Sequence, residues 1–294
     1  MKRLIVMLGV TGSSLSSVFI RTSTAPSVVL VLYRMTIAVL LLSPVVLSRN
    51  WKEIRGLSRR ELALCMTSGV FLGLHFTAYF TSLDMTTIAS SVVLVNTEVL
   101  FVAVISMVLW KKRLSRMGWC AILLAFAGSV VVAMGGGGSG DSMMLGNMVA
   151  LAGALFMTVY TLIGSVCRRT VSTSAYTYLV YFAAAVTVLL AALATGTPIF
   201  GHDPINYWMA LALAVFCTLM GHSIFSWGLK YLSAAFVAVA KLAGPVMAAV
   251  WGLLLFRESP TVQEVVGGAM VLLGLAIYTR TENDEKRPAA AGKE

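Results

Sequence analysis

Residues 83–113 read LDMTTIASSVVLVNTEVLFVAVISMVLWKKR, and residues 229–259 read LKYLSAAFVAVAKLAGPVMAAVWGLLLFRES. The two stretches align at a constant shift of 146 residues, each as one apolar segment between two short polar loops. Their loops carry different charges. Asp84 falls on Lys230, and the cationic run Lys111, Lys112 and Arg113 falls on Arg257, Glu258 and Ser259. Cytoplasmic loops hold an excess of cations, so the exchange predicts a membrane repeat whose second copy is inserted upside down.

Composition extends that reading to the whole chain. Apolar residues make up 59% and charged residues 12%, with a mean hydropathy of +0.89, far from the balance of a water-soluble domain. A helix needs roughly 20 mostly apolar residues to cross about 30 Å of hydrocarbon. Ten segments qualify, at about 4–20, 27–47, 62–83, 87–110, 115–134, 145–165, 175–195, 207–229, 233–256 and 262–279. The expected fold is an all-α membrane protein of ten transmembrane helices forming two inverted five-helix repeats. The first repeat covers 1–134, a glycine-rich linker 135–141, the second, inverted repeat 142–280, and a polar cytoplasmic tail 281–294. Five is odd, so the second half enters the membrane in the opposite sense, as in many secondary transporters.

Cation placement sets the orientation. With the N-terminus inside, the 22 Lys and Arg fall in cytoplasmic loops and tails, except Arg21 and Arg257 outside and Arg34 and Lys241 within spans. Both termini are therefore expected in the cytoplasm, and the chain in the cell inner (plasma) membrane. A net charge of +10 then records insertion topology, not a nucleic-acid surface. Lys2 and Arg3 ahead of an apolar run resemble a secretory signal peptide, but its removal would leave nine spans and unequal halves, so the segment is read as the first helix. The cysteines Cys65, Cys120, Cys167 and Cys217 have no CxxC spacing and indicate neither a disulfide framework nor a zinc site. The run Gly135 to Gly138 is a flexible linker and not a phosphate cradle, because no strand or Lys-Ser/Thr follows it.

Three stretches resemble EamA-type members of the drug/metabolite transporter superfamily: Ser90 to Val104 (SSVVLVNTEVLFVAV), Gly221 to Ala234 (GHSIFSWGLKYLSA) and Gly244 to Tyr278 (GPVMAAVWGLLLFRESPTVQEVVGGAMVLLGLAIY). In outline the resemblance spans the whole chain. It implies ten helices in two inverted five-helix repeats, and export or uptake of small metabolites through a central cavity. Related sequences often carry Asn at the place of Ser226, Gln-Pro at Glu98 and Val99, and Glu at Gly244. Glu98 and Gly244 are equivalent under the 146-residue shift, so an acidic group has changed halves.

Charges inside spans are the sharpest chemical signal, since each costs about 2.5–3.5 kcal/mol at mid-helix on insertion scales. They are Arg34, Glu98 and Lys241. Arg34 lies about two turns into the second span, where it either snorkels outward or lines a site. Glu98, with Ser91 two turns earlier on the same face, is a neutral hydrogen-bonded acid, an ion-pair partner or a proton carrier. Lys241 precedes Pro245 by four residues, and proline has no N–H to give the carbonyl of residue 241. One residue thus offers a cation and a freed carbonyl, and Gly244 with Pro245 forms the expected hinge. Lys241 either faces a ligand or pairs with Glu98.

His75 with Tyr79, and His222 with Ser226, share helical faces at four-residue spacing. The repeat shift places His222 on Phe76, so both pairs lie at similar depth. Trp251, Phe225 and Trp227 are candidate walls of an adaptable apolar pocket, or equally core or lipid-facing residues. The expected substrate-binding set is Glu98, Lys241, Arg34, His222, Ser226, His75, Tyr79 and Trp251, with no catalytic and no metal-ligating residue.

HExxH, GxSxG, Walker, EF-hand and cysteine metal patterns do not occur, which leaves secondary transport. The expected function is carriage of a small polar or zwitterionic metabolite, such as an amino acid, by alternating access around a midplane cavity, with export the direction that the resemblance implies. Lys241 would meet a carboxylate, and Glu98 an ammonium group or a coupling proton. Efflux of cationic compounds is the alternative within transport. A membrane-embedded enzyme acting on a lipid-linked substrate is the alternative outside it, and needs His75 or His222 beside an acid at the water interface. Expected partners are a small-molecule substrate, a coupling proton, the lipid bilayer and, as an open option, a second copy in a homodimer. No cofactor and no nucleic acid is expected.

Overall fold

Ten helices long and apolar enough to cross a membrane follow one another along the described residues: α1 (Lys2–Ile20), α2 (Ser27–Gly56), α3 (Arg59–Leu83), α4 (Ser91–Trp110), α5 (Arg116–Met134), α6 (Met144–Cys167), α7 (Thr173–Ala194), α8 (Pro204–Gly228), α9 (Ala234–Leu255) and α10 (Val262–Glu282). The computed structural model describes residues 1–86, 88–111, 114–135, 144–257 and 259–286, and leaves aside the side chains of Ser17, Arg21, Asp84, 88–90, Phe256 and 283–286. Most of the expected linker, the loop positions Lys112, Arg113 and Glu258, and the tail from 287 onward lie outside the described residues.

Short polar motifs start several helices. Ser58 accepts from the N–H of Glu61 while the Glu61 carboxylate accepts from the N–H of Ser58, a capping box that opens α3. Ser172 and Ser233 cap α7 and α9 by accepting from the N–H groups of Ala175 and Phe236. The second span outlasts its hydropathy: α2 runs past Pro44 and a π-turn at Val46–Asn50 to Gly56. Its extension carries the exposed Arg49, Lys52 and Arg55. Charge ends a hydrophobic span but does not end a helix.

The 146-residue shift has a backbone counterpart. α4 is interrupted at Thr97, between Ile88–Asn96 and Glu98–Trp110, and α9 at 242–243, between Ala234–Lys241 and Gly244–Phe256. Thr97 and Ala243 are equivalent positions. Beyond the same helices, Lys111 (φ 53°) and Arg257 (φ 57°) take the left-handed conformation, uncommon for a side-chain-bearing residue. Ser115 and Thr261, equivalent again, cap α5 and α10 by accepting from the N–H groups of Gly118 and Glu264.

Packing follows the same exchange. α1 packs on α8 and α3 on α6, while α2 packs on α7 and α5 on α10. Replacing each helix by the one five places away turns the first pair into the second and leaves the other two unchanged. At the α5–α10 crossing, a Cβ on Gly128 would lie 2.6 Å from the Gly267 carbonyl oxygen and 2.7 Å from the Val271 nitrogen. One on Gly274 would lie 2.7 Å from both the Ala121 oxygen and the Ala125 nitrogen. Ala121 and Ala125 are the counterparts of Gly267 and Val271. Along α5 from Ala121 to Val132 the contact moves from Gly274 back to Gly267, so α5 and α10 run antiparallel, the relation that inverted copies require of equivalent helices. Small residues permit such close approach where lipid supplies no hydrophobic drive.

Two large apolar clusters fill the bundle, with a smaller third one between α2 and α8. One of the large pair draws on α1, α4, α5, α9 and α10, the other mainly on α2, α3, α6 and α7. α6 and α8 contribute to both, and the buried charges sit where these two helices pass between the clusters. Arg3 donates to the Thr279 carbonyl at 2.8 Å and pairs with Glu282 at 2.7 Å, so α1 begins and α10 ends at one face of the bundle.

Candidate functional site

The broken helices place opposite charges at their breaks. Glu98 is the first residue after the interruption of α4, and Lys241 the last before that of α9. Lys241 Nζ lies 3.0 Å from Oε1 and 3.3 Å from Oε2 of Glu98. Thr161 of α6 donates to Oε1 at 2.8 Å and is itself 3.4 Å from Nζ. Of the two roles expected for Lys241, pairing with Glu98 is the one adopted. Either charge alone at this depth costs more than the pair, since removing one partner strands the other in low dielectric. The side chains keep 15% and 9% exposure.

The backbone beside the pair is irregular. Leu242 and Ala243 donate to the carbonyls of Val239 and Ala240, three residues back. Pro245 opens the second segment of α9 and has no N–H for the Lys241 carbonyl. A Cβ on Gly244 would meet nothing within 4 Å, so this side of the break faces open space. Irregular backbone at membrane depth is tolerated where it is buried in protein or lines a cavity.

A second group surrounds Phe76 of α3. The guanidinium of Arg34 on α2 sits 4.6 Å from the Phe76 ring centroid and donates through Nε to Thr218 Oγ1 at 2.6 Å. His222 meets the same ring edge-on at 5.4 Å and packs on Phe225 at 6.0 Å. The Phe225 ring lies 5.8 Å from Lys241 Nζ, so an aromatic path joins Arg34 to the ion pair. His75 Nδ1 is 3.0 Å from the carbonyl oxygen of Gly153, which fixes the proton on Nδ1, and its ring stacks on Tyr79. Thr218 and His222 lie on a π-helical stretch of α8, Leu213–His222, a widening that is frequent at functional sites.

Arg34, His75, Tyr79, His222, Glu98 and Lys241 thus form one connected set. Ser226 stands apart from the pair: its hydroxyl is 3.1 Å from that of Tyr160, and its carbonyl accepts from Arg168 Nε at 3.0 Å. Trp251 donates to Ser14 at 3.0 Å and serves the α9–α1 contact.

The sequence profile of the EamA-like transporter family matches residues 2–134 and again residues 144–280. The chain belongs to the EamA-like transporter family. Among relatives, the pseudopaline exporter CntI of Pseudomonas aeruginosa is 24% identical over 262 residues, covering 89% of each chain. An uncharacterized transporter of Clostridium kluyveri is 24% identical over 238 residues, 78% of this chain and 75% of its own. A solved crystal structure superposes with a TM-score of 0.79 at 19% identity, covering 95% of this chain and 97% of that one, and so shares the fold. This EamA-like chain is therefore a multi-pass membrane transporter and not an enzyme.

Two contributors to the EamA-like site, and one buried cation outside it, were not foreseen from the residues. Thr161 bridges the ion pair; its signal was the polar stripe Thr158, Thr161 and Ser165 on one face of α6. Thr218 anchors Arg34, but only the π-turn brings it there. Arg168, counted among loop cations, is 1% exposed and donates to Ser226, Thr173 and Val171. Its burial pushes its pKa below the usual arginine value.

Proposed function

We propose that this chain exports a small polar metabolite across the cytoplasmic membrane by alternating access, with two inverted five-helix halves rocking about the Glu98–Lys241 pair. The pair at equivalent helix breaks carries this reading. Without substrate the two charges satisfy each other. A substrate carboxylate competes for Lys241 and a substrate ammonium, or a proton, competes for Glu98, so loading opens the link between α4 and α9. Export as the direction draws on the exporter of Pseudomonas aeruginosa that the chain resembles. The halves are residues 1–134 and 142–280, and both termini are cytoplasmic, consistent with the cation distribution and the Arg3–Glu282 contact.

The test compares the extracellular metabolites of host cells producing the wild type, Glu98→Gln or Lys241→Met. Enrichment of a polar compound outside wild-type cells only is expected. Identical exometabolomes in all three, or depletion of a medium compound by the wild type, would overturn export through this pair. A C-terminal alkaline phosphatase fusion should be inactive, and activity would reverse the topology.

A further inference from the structure

Arg34 is 3% exposed, yet its one hydrogen bond among the described residues runs from Nε to the neutral hydroxyl of Thr218. The ion pairs among these residues are Arg3 with Glu282 and Lys241 with Glu98, so the terminal nitrogens of Arg34 have no carboxylate. A buried atom without any partner stands beside it. His222 is 8% exposed, and its Nδ1 is buried without any hydrogen-bond partner. Both groups rest on the ring of Phe76. A buried cation without a counter-charge is strongly unfavourable, and buried polar atoms are nearly always satisfied. A cation without a counter-charge and an unpartnered imidazole nitrogen on one ring, the second carried by a π-helical stretch, require an explanation that packing does not supply.

We propose that Arg34 and His222 form an anion subsite that takes a substrate carboxylate, and that the transported compound carries a net negative charge. This deepens the exporter reading and rests on it. With Nε held by Thr218, the guanidinium is fixed in plane, and its two terminal nitrogens match the two oxygens of a carboxylate. In the tautomer protonated at Nδ1, His222 supplies a further donor, and Phe76 is an apolar floor. Glu98 and Lys241 cancel each other, so the uncompensated charge of the connected site is the single positive charge of Arg34. That favours a compound with one net negative charge, whose other polar groups meet the ion pair, over a net-neutral zwitterion, over a phosphate dianion, and over the cationic compounds of the alternative transport reading. The aromatic path through His222 and Phe225 to Lys241 leaves the remainder of the compound to meet the ion pair.

The purified full chain in nanodiscs is titrated by thermal shift with L-glutamate, pyroglutamate and N-acetyl-L-alanine. The neutral amides of pyroglutamate and N-acetyl-L-alanine, together with phosphoserine and putrescine, serve as comparison arms. At least one carboxylate should raise the melting temperature where its amide does not, and Arg34→Gln should weaken that binding about 100-fold, the loss typical of a buried charge pair. The ligand-free Arg34→Gln protein should melt no lower than the wild type, because it sheds an unpaired charge. Arg34→Lys, which keeps the charge without the planar fork, should bind about tenfold more weakly than the wild type and serves if Arg34→Gln fails to fold. Equal shifts by acids and amides, stabilisation by putrescine or phosphoserine alone, no shift by any carboxylate, or a lower melting temperature of ligand-free Arg34→Gln would each overturn the subsite. Carboxylate binding lost in Glu98→Gln but intact in Arg34→Gln would overturn it while leaving the exporter reading in place.

Discussion

Thr97 and Ala243 interrupt α4 and α9 at equivalent positions, and the buried charges flank the interruptions from opposite sides: Glu98 follows the first break and Lys241 precedes the second. The pair therefore spans the two halves at the level where both backbones are least regular. Replacing Lys241 by Met should strand the Glu98 carboxylate and destabilise the protein by about 3–5 kcal/mol. The double variant Glu98→Gln, Lys241→Met should recover much of that loss while remaining inactive. Thermal melts of the four proteins in detergent form the cycle, and additive losses would mean that the pair does not couple the helices.

Close packing at α5–α10 gives a symmetry test independent of charge. Gly128→Ala and Gly274→Ala each drive a Cβ into the opposite backbone, at 2.6 and 2.7 Å. Both should destabilise the fold by about 1–3 kcal/mol. Gly56→Ala, where nothing lies within 4 Å, should be neutral. Chemical denaturation in a defined micelle measures all three; a silent Gly274→Ala beside a damaging Gly128→Ala would break the equivalence.

Much of this arrangement was legible in the residues because lipid imposes strict requirements. Ten apolar runs and the segregation of Lys and Arg follow from the cost of polar groups in hydrocarbon, and the helix break before Gly244 and Pro245 follows from a missing N–H. The break at Thr97 was not legible, since no proline or glycine marks it and only its counterpart in α9 explains its place. Neither was the π-helical stretch around Thr218 and His222, which depends on packing against α1 and α2. Lys241 shows the limit most clearly. Sequence left it between a ligand and Glu98, because partner choice depends on how α4, α6 and α9 meet in space.

Proton coupling through Glu98 is a separable expectation. Its Oε1 already accepts from Lys241 and Thr161, so a proton arriving on the carboxylate breaks the pair as a substrate cation does. In proteoliposomes loaded with the carboxylate that stabilises the protein, Glu98→Gln should retain substrate exchange and lose accumulation driven by a pH gradient. Gradient-driven accumulation persisting in that variant would remove Glu98 from the coupling step.

Polar contacts tie down one loop at each end of the bundle. At one end of α2, Glu53 accepts from the N–H and the hydroxyl of Ser172, both at 2.6 Å, tying down the loop before α7. At the other end, Asn206 Oδ1 accepts from Ser23 Oγ and Thr24 N at 2.8 Å, tying down the loop before α2. Because α2 runs between them, the latches lie on opposite faces of the bundle, and the proposed alternating access requires that they release in turn. A single thiol at Gly244→Cys, in a chain whose native cysteines are replaced by Ser or Ala, reports on the space beside the hinge. Glu53→Ala should speed its reaction with an impermeant maleimide from the face of the α6–α7 loop, and Asn206→Ala from the opposite face, each about tenfold if a latch contributes about 1.4 kcal/mol. Labelling measured in right-side-out and inverted vesicles distinguishes the faces. Acceleration from the same face in both variants would show that the two contacts do not gate opposite openings.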